Sequence, residues 1–362
     1  MLIAALIWIC IPLSLVLIFG NIYAKFRIKQ LKSNAPRSHT KYTISDSENY
    51  IPNINTIETN RFGDLCAISG LGESCFFSNG PRQHTFVTDQ HGYKTLQSFS
   101  DADLVIIGDS FLAAGGGDNM HEQLGQRLMK ITNKKIYEAA HPGDIFDYKK
   151  RLLEMKARQN SNKKYMLLLY EGNDIIPITT NQSSTNQSKH SGFKAFYRTF
   201  KKMPLYKLLA TKLKATNKKK IHPDKLSDVK ILELNHRTQA LHRNQSNISK
   251  EDAFLPEIDF ILKHKDAICG LAFVPTAYSV YQSRDSLAER HPSLEAQFSY
   301  LKAQGINSID LTEVLRHQSK AENETYSLWW GDDTHWNKNG IKISAEYLAK
   351  ESPCFNKDHA SS

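Results

Sequence analysis

Three stretches of the chain repeat one pattern: a short, almost wholly apolar run that stops at a turn of small, acidic or amide residues. They are 102–108 (ADLVIIG) before Asp109-Ser110, 135–140 (KIYEAA) before His141-Pro142-Gly143-Asp144, and 165–170 (YMLLLY) before Glu171-Gly172-Asn173-Asp174. Strands that are apolar at every position have no face to show to water, so both faces need cover. The intervening segments supply it. Met120, Leu124, Leu128 and Ile131 recur at helical spacing, and 145–158 is a second amphipathic helix. The alternation resumes at 267–274 (AICGLAFV), continues as a helix through about Ala303 and a strand INSIDL, and ends in a helix over about 338–350. This predicts an α/β fold, a three-layer α/β/α sandwich with a central, mostly parallel five-stranded sheet.

In open sheets of this class, ligands sit outside the carboxyl ends of the strands. Ser110, Gly143 and Asn173 lie at three such ends and are predicted to converge. A serine that attacks an ester needs donors around the carbonyl oxygen that becomes negative. The backbone N–H groups of Ser110 and Gly143 and the amide of Asn173 would supply three. Each residue also has a plainer reading: Ser110 as a helix cap, Gly143 and Asn173 as turn residues. A base must take the serine proton, and 332–336 (DDTHW) offers His335, with Asp332 or Asp333 to hold its ring. The alternatives for a histidine beside acids are a metal ligand or a surface loop. No second or third ligand follows at metal spacing, so neither metal nor cofactor is expected.

Read together and in order, IIGDSF, HPGD, YEGND and DDTHW resemble the blocks of the SGNH/GDSL hydrolase family over about residues 102–350. The resemblance implies Ser110 as nucleophile, Ser110, Gly143 and Asn173 as the oxyanion hole, and His335 with a neighbouring acid as base. Two departures stand out. Glu171 replaces the usual first glycine of the third block, which bears on substrate shape. The last block fits D-x-x-H through Asp332, whereas Asp333-Thr334-His335-Trp336 is similar to the D-x-H-W of membrane-associated polysaccharide O-acetyltransferases such as the alginate acetylation proteins. The Thr-His-Trp context favours Asp333. That branch implies a glycan or acyl-ester substrate, an extracytoplasmic catalytic domain and, as partner, a multi-pass membrane protein that donates the acyl group.

The amino terminus is consistent with a membrane setting. Residues 2–23 carry no charge and are long enough to span hydrocarbon as a helix, so 1–24 is expected to be a single-pass anchor. A cleaved signal would have a basic start and a shorter core. A polar tether is expected over 25–60, then a small lead-in over 61–100 with a hairpin and no assigned chemistry, the catalytic domain over 101–352, and a tail over 353–362. Lys25, Arg27, Lys29 and Lys32 follow the anchor, so the positive-inside rule argues for a cytoplasmic domain, against the family implication. Cys66 and Cys75 are close enough to close a disulfide, or stand as two free thiols.

The chain carries a net charge of +10 over 362 residues, concentrated in 189–220. Within an insertion at about 176–250, the run FKAFYRTFKKMPLYKLLATKLK sets aromatic and aliphatic residues at helical spacing between lysines. It is either a cap or membrane-surface helix, or a helix pair with a solvated basic face. No nucleic-acid-binding signature accompanies the charge, so a nucleic-acid partner is not expected. Three functions remain: an anchored serine O-acyl esterase or O-acetyltransferase acting on a glycan, an esterase for lipids or small esters, and a non-enzymatic scaffold that binds a polymer.

Overall fold

The computed structural model describes residues 50–61, 63–65, 82–113, 119–158, 163–178, 229–234, 237–242, 248, 250–283, 285–321 and 327–355. All of them fall in one compact unit made of 37–179 and 223–362; a second unit, 1–36 with 180–222, lies outside the described residues. The expected anchor, Cys66, Cys75 and the basic aromatic run therefore lie outside them too. Among the described residues, no helix is long and apolar enough to cross a membrane.

Eleven strands are present among the described residues: β1 Asn55–Arg61, β2 Arg82–Val87, β3 Leu104–Gly108, β4 Ile136–Ala140, β5 Lys164–Tyr170, β6 Ile176–Pro177, β7 Val229–Leu234, β8 Arg237–His242, β9 Ala253–Phe254, β10 Ile268–Val274 and β11 Ser308–Asp310. Five of them form the central sheet in the order β11-β10-β5-β3-β4, with every neighbouring pair parallel. Side chains alternate across it. Leu104 and Ile106 of β3, with Met166 and Leu168 of β5, enter one apolar cluster. Val105, Ile107, Tyr165, Leu167 and Leu169 enter the other. The helices Leu124–Thr132 and Lys338–Glu351 cover the first face through Leu124, Leu128, Ile341, Ala345 and Leu348. The helices Ile145–Ala157 and Pro292–Ala303 cover the second through Leu152, Met155, Leu294 and Phe298. Each fully buried aliphatic or aromatic side chain contributes about 1.5–3 kcal/mol relative to exposure, so both layers are needed to hold a sheet with no polar face.

Local signals place the helix starts. Asp144 accepts from Phe146 N at 3.0 Å, and its own N–H is held by Asp147, so the HPGD turn ends as a capping box for Ile145–Ala157. The single helix expected through Ala303 is instead three: Ala277–Tyr281, Leu287–Arg290 and Pro292–Ala303. Ser286 caps the second, and Pro292, which lacks an N–H, fits only in a first turn.

Both ends of the domain extend beyond their expected bounds. The tether stops short of residue 60, because Tyr50 is fully buried against Phe86 and His141 and β1 pairs antiparallel with β2. Cys354 and Phe355, expected in the tail, are buried in the domain. Cys354 forms a disulfide with Cys269 of β10, 85 residues away, a pairing the spacing of the cysteines did not reveal. Within the expected insertion, β7 and β8 form an antiparallel hairpin, and β6 at its start pairs with β9 just beyond its end.

Candidate active site

The site forms where β3, β4 and β5 end. β3 runs through Gly108 into Asp109, whose buried carboxylate accepts from Phe111 N at 2.8 Å. That bond turns the chain at once into the short helix Ser110–Ala113 and leaves Ser110 half-buried at its first position. The other oxygen of Asp109 accepts from Asn173 Nδ2 at 2.9 Å, and the same amide nitrogen donates to Gly143 O at 2.9 Å. The ends of the three strands are thus laced together, and both amide protons of Asn173 have acceptors. A Cβ at Gly143 would come within 2.2 Å of Asp147 Oδ2 and 2.7 Å of Arg151 Nη2, so both side-chain ends would have to shift to admit one. Among the described residues, the N–H groups of Ser110 and Gly143 have no hydrogen-bond partner.

The second half of the site is the loop that follows Trp329. His335 Nε2 lies 2.8 Å from Ser110 Oγ, and His335 Nδ1 lies 2.6 Å from Asp333 Oδ1. Asp332 points elsewhere: Arg82 Nη1 donates to its Oδ1 at 2.6 Å and Gly63 N to its Oδ2 at 3.2 Å. Arg82 also reaches Asp333 Oδ2 at 3.4 Å and stacks over Trp330. The loop is seated by Trp336, which donates to Phe111 O at 3.1 Å, and by Asn337, which caps the helix Lys338–Glu351. Gly340 has its reason here, because a Cβ would meet Leu328 O at 2.5 Å.

Burial works against a charged His335, but the Asp333 carboxylate, with Asp64 and Asp109 behind it, outweighs that and raises its pKa above the ordinary value. Burial likewise raises Asp109, against the bonds it accepts from Phe111 and Asn173. Asp64 was not foreseen as part of the site. Its Oδ2 stands 3.7 Å from His335 Nδ1, and it accepts from Thr334 N and Oγ1 at 2.8 and 2.6 Å. Arg82 and Asp109 were missed as well. The facing atoms of Asp64, Asp333 and His335 lie within 4.8 Å of one another. Asp333 bonds His335, and Asp64 bonds Thr334 between them.

Glu171, which replaces glycine in the third block, points away from Ser110. It is buried and bonds Thr276 N, Ser279 Oγ, Arg290 Nη2 and His291 Nε2 at 2.7, 2.6, 3.2 and 3.0 Å. The departure therefore serves the packing behind β5 and β10.

Part of the chain has a counterpart among known proteins. Residues 232–357 match the model of the SGNH hydrolase-like domain of the acetyltransferase AlgX. Over these residues the chain is similar to an SGNH hydrolase-like domain, and the match supports an ester hydrolase or an acetyltransferase. The match contains Asp332, Asp333 and His335, whereas Ser110, Gly143 and Asn173 precede it. No curated protein matches the sequence. Similar solved structures include a putative lipolytic protein of the G-D-S-L family from Desulfitobacterium hafniense DCB-2, at 13% identity and TM-score 0.34, covering 68% of this chain and 97% of that one. LAE5, an alpha/beta hydrolase enzyme from the metagenome of Lake Arreo, Spain, is similar at 11% identity and TM-score 0.36, covering 70% of this chain and 96% of that one.

Proposed function

We propose that this protein is a membrane-anchored serine O-acyltransferase or O-acyl esterase that acts on an exported glycan through an acyl-Ser110 intermediate. The observation that carries the chemistry is the continuous chain Ser110 Oγ, His335 Nε2, His335 Nδ1, Asp333 Oδ1, with contacts of 2.8 and 2.6 Å at its two ends. His335 takes the Ser110 proton as Oγ attacks the acyl carbonyl. Asp333 holds the ring and stabilises the imidazolium that forms. The carbonyl oxygen becomes negative and meets the N–H groups of Ser110 and Gly143. Asn173 aligns this hole, and it donates directly when one of its two present bonds is exchanged for the oxyanion. His335 then protonates the departing alcohol. A sugar hydroxyl or water, deprotonated by His335, returns the acyl group from Ser110 in the second half-reaction.

The glycan is supported by the likeness of 232–357 to the AlgX domain. The anchor is supported by the apolar run 2–23, and the extracytoplasmic setting by the Cys269–Cys354 disulfide, because disulfides persist in oxidising compartments. A multi-pass membrane protein is the acyl donor in this reading. The test is to incubate the full chain in detergent with a labelled acetyl ester, with and without a polysaccharide acceptor, and to follow the acetyl group. Label on the glycan supports transfer. Release as free acetate regardless of acceptor reduces the reading to an esterase. No acyl-Ser110 in either arm overturns it.

A further inference from the structure

Residues 63–65 belong to a lead-in for which the sequence suggested no chemistry, yet they dock directly on the loop that carries His335. Gly63 N donates to Asp332 Oδ2 at 3.2 Å and Leu65 N to Asp332 O at 3.1 Å. A Cβ on Gly63 would lie 2.0 Å from Asp332 O, so only glycine allows the segment to seat this closely. Seated so, Asp64 accepts both the N–H and the hydroxyl of Thr334, the residue between Asp333 and His335. Its second oxygen faces the ring nitrogen of His335 that already bonds Asp333, 3.7 Å against 2.6 Å. Two carboxylates thus face one imidazole nitrogen in a region where both side chains are largely buried, 12% and 4% exposed.

We propose that Asp64 is a positioning residue for acyl transfer: through Thr334 it fixes the turn that presents Asp333 and His335, and its charge assists Asp333 in stabilising the imidazolium formed when His335 takes the Ser110 proton. This rests on the roles given above to Ser110, His335 and Asp333. Other charges face the same place. Arg82 of β2 neutralises Asp332 and reaches Asp333, and Asp109 at the end of β3 acts on His335 from the other side. Burial, and then repulsion from Asp333, pushes Asp64 up to about 6, against the pull of His335 and the Thr334 bonds. Asp64 therefore loses its charge as pH falls through about 6, and its support of the imidazolium goes with it.

Removing a negative charge beside His335 lowers the pKa of the ring, so the acid limb of kcat/KM moves to lower pH. The plateau also falls, because the imidazolium of the transition state has lost a stabilising charge. For a partly buried pair at this distance, the loss in kcat is about ten- to hundredfold, with KM little changed because Asp64 does not touch Ser110 or the oxyanion donors.

The experiment compares wild type, Asp64→Asn, Asp64→Glu and Thr334→Val in the full chain on a small acetyl ester. Each is also prepared with Ser110→Ala for histidine NMR titration of His335. The expected result is a lower plateau, an acid limb displaced downward and a lower His335 pKa in Asp64→Asn, with partial recovery in Asp64→Glu. Thr334→Val, which retains the charge, should keep the limb and the pKa. An unchanged His335 pKa in Asp64→Asn overturns the electrostatic role even if activity falls. Equal kcat in all four proteins overturns the proposal outright. A fluorophosphonate control separates this from the underlying reading, since labelling of Ser110→Ala at the wild-type rate would sink the nucleophile and the proposal with it.

Discussion

The two halves of the site are built in different ways. At the ends of β3, β4 and β5, the parallel sheet does the placing: neighbouring strands are in register and each reactive position is the residue or turn that follows. The loop around His335 has no strand beneath it. Instead it is held by side chains and backbone from 63–65 and Arg82, 250 or more residues earlier in the chain. Hence a mutation at a strand end should reach the chemistry while leaving the fold nearly intact, whereas a mutation among the loop's supports should reach both.

The largest expected effect tests the loop at its chemical end. Asp333→Asn keeps the shape but removes the acceptor charge from His335 Nδ1, and should lower kcat by about four orders of magnitude, measured on an acetyl ester after confirming the fold by circular dichroism. A small loss would move the acid's role to Asp64 or Asp332. Next in size is the strand-end half. Asn173→Ala should slow acylation by roughly a hundred- to a thousandfold with its melting temperature almost unchanged. In single-turnover experiments, a loss below about tenfold would confine Asn173 to holding the Gly143 and Asp109 turns together.

Asp332→Asn is where the two halves should separate most clearly. Asp332 does not touch His335, so turnover should fall by about tenfold or less, through the loop's looser seating. Its pair with Arg82 is buried, with 9% and 0% of the side chains exposed, and breaking such a pair typically costs about 3–5 kcal/mol. Urea denaturation should therefore show a drop of that order. A mutant as stable as wild type would mean that the loop stands without its remote supports.

The same contrast explains what could be read from the sequence. Apolar runs, helical spacing and turn residues are local, so the five strands, their parallel direction and the turns bearing Ser110, Gly143 and Asn173 were all visible in them, though the order of the strands was not. Asp64, Arg82 and the Cys269–Cys354 pairing are long-range facts. Nothing beside Asp64 in the sequence hints that it faces Thr334, 270 residues away. Asp109 was visible as part of the Gly-Asp-Ser turn, but its bond to Asn173 depends on strand order. Tyr50 was assigned to the tether because its neighbours are polar, and only its packing against Phe86 and His141 shows that it belongs to the core.

The smallest expected effect on turnover is at Glu171, and it sharpens the comparison by removing a support that faces neither half of the site. Burial pushes its carboxyl up, but the bond to His291, the charge of Arg290 and the bonds from Ser279 and Thr276 outweigh that and hold it down at about 2, against an ordinary 4.5. A carboxylate depressed in the fold contributes stability that is fully present above about 4.5 and is lost as pH falls toward 2. The wild-type protein should therefore lose on the order of 3 kcal/mol over that range from this group alone. Glu171→Gln removes the charge, leaves Arg290 buried without its counterion and should be destabilised at neutral pH. Its stability should also fall less steeply than wild type between pH 5 and pH 2. Turnover at neutral pH should stay close to wild type, because no Glu171 contact reaches Ser110, His335 or Asp333. Parallel stability curves for the two proteins would show that the network is held by shape and hydrogen bonding rather than by charge. A large loss of turnover would mean that the interior behind β5 is coupled to the strand ends, and the division between the two halves would no longer hold.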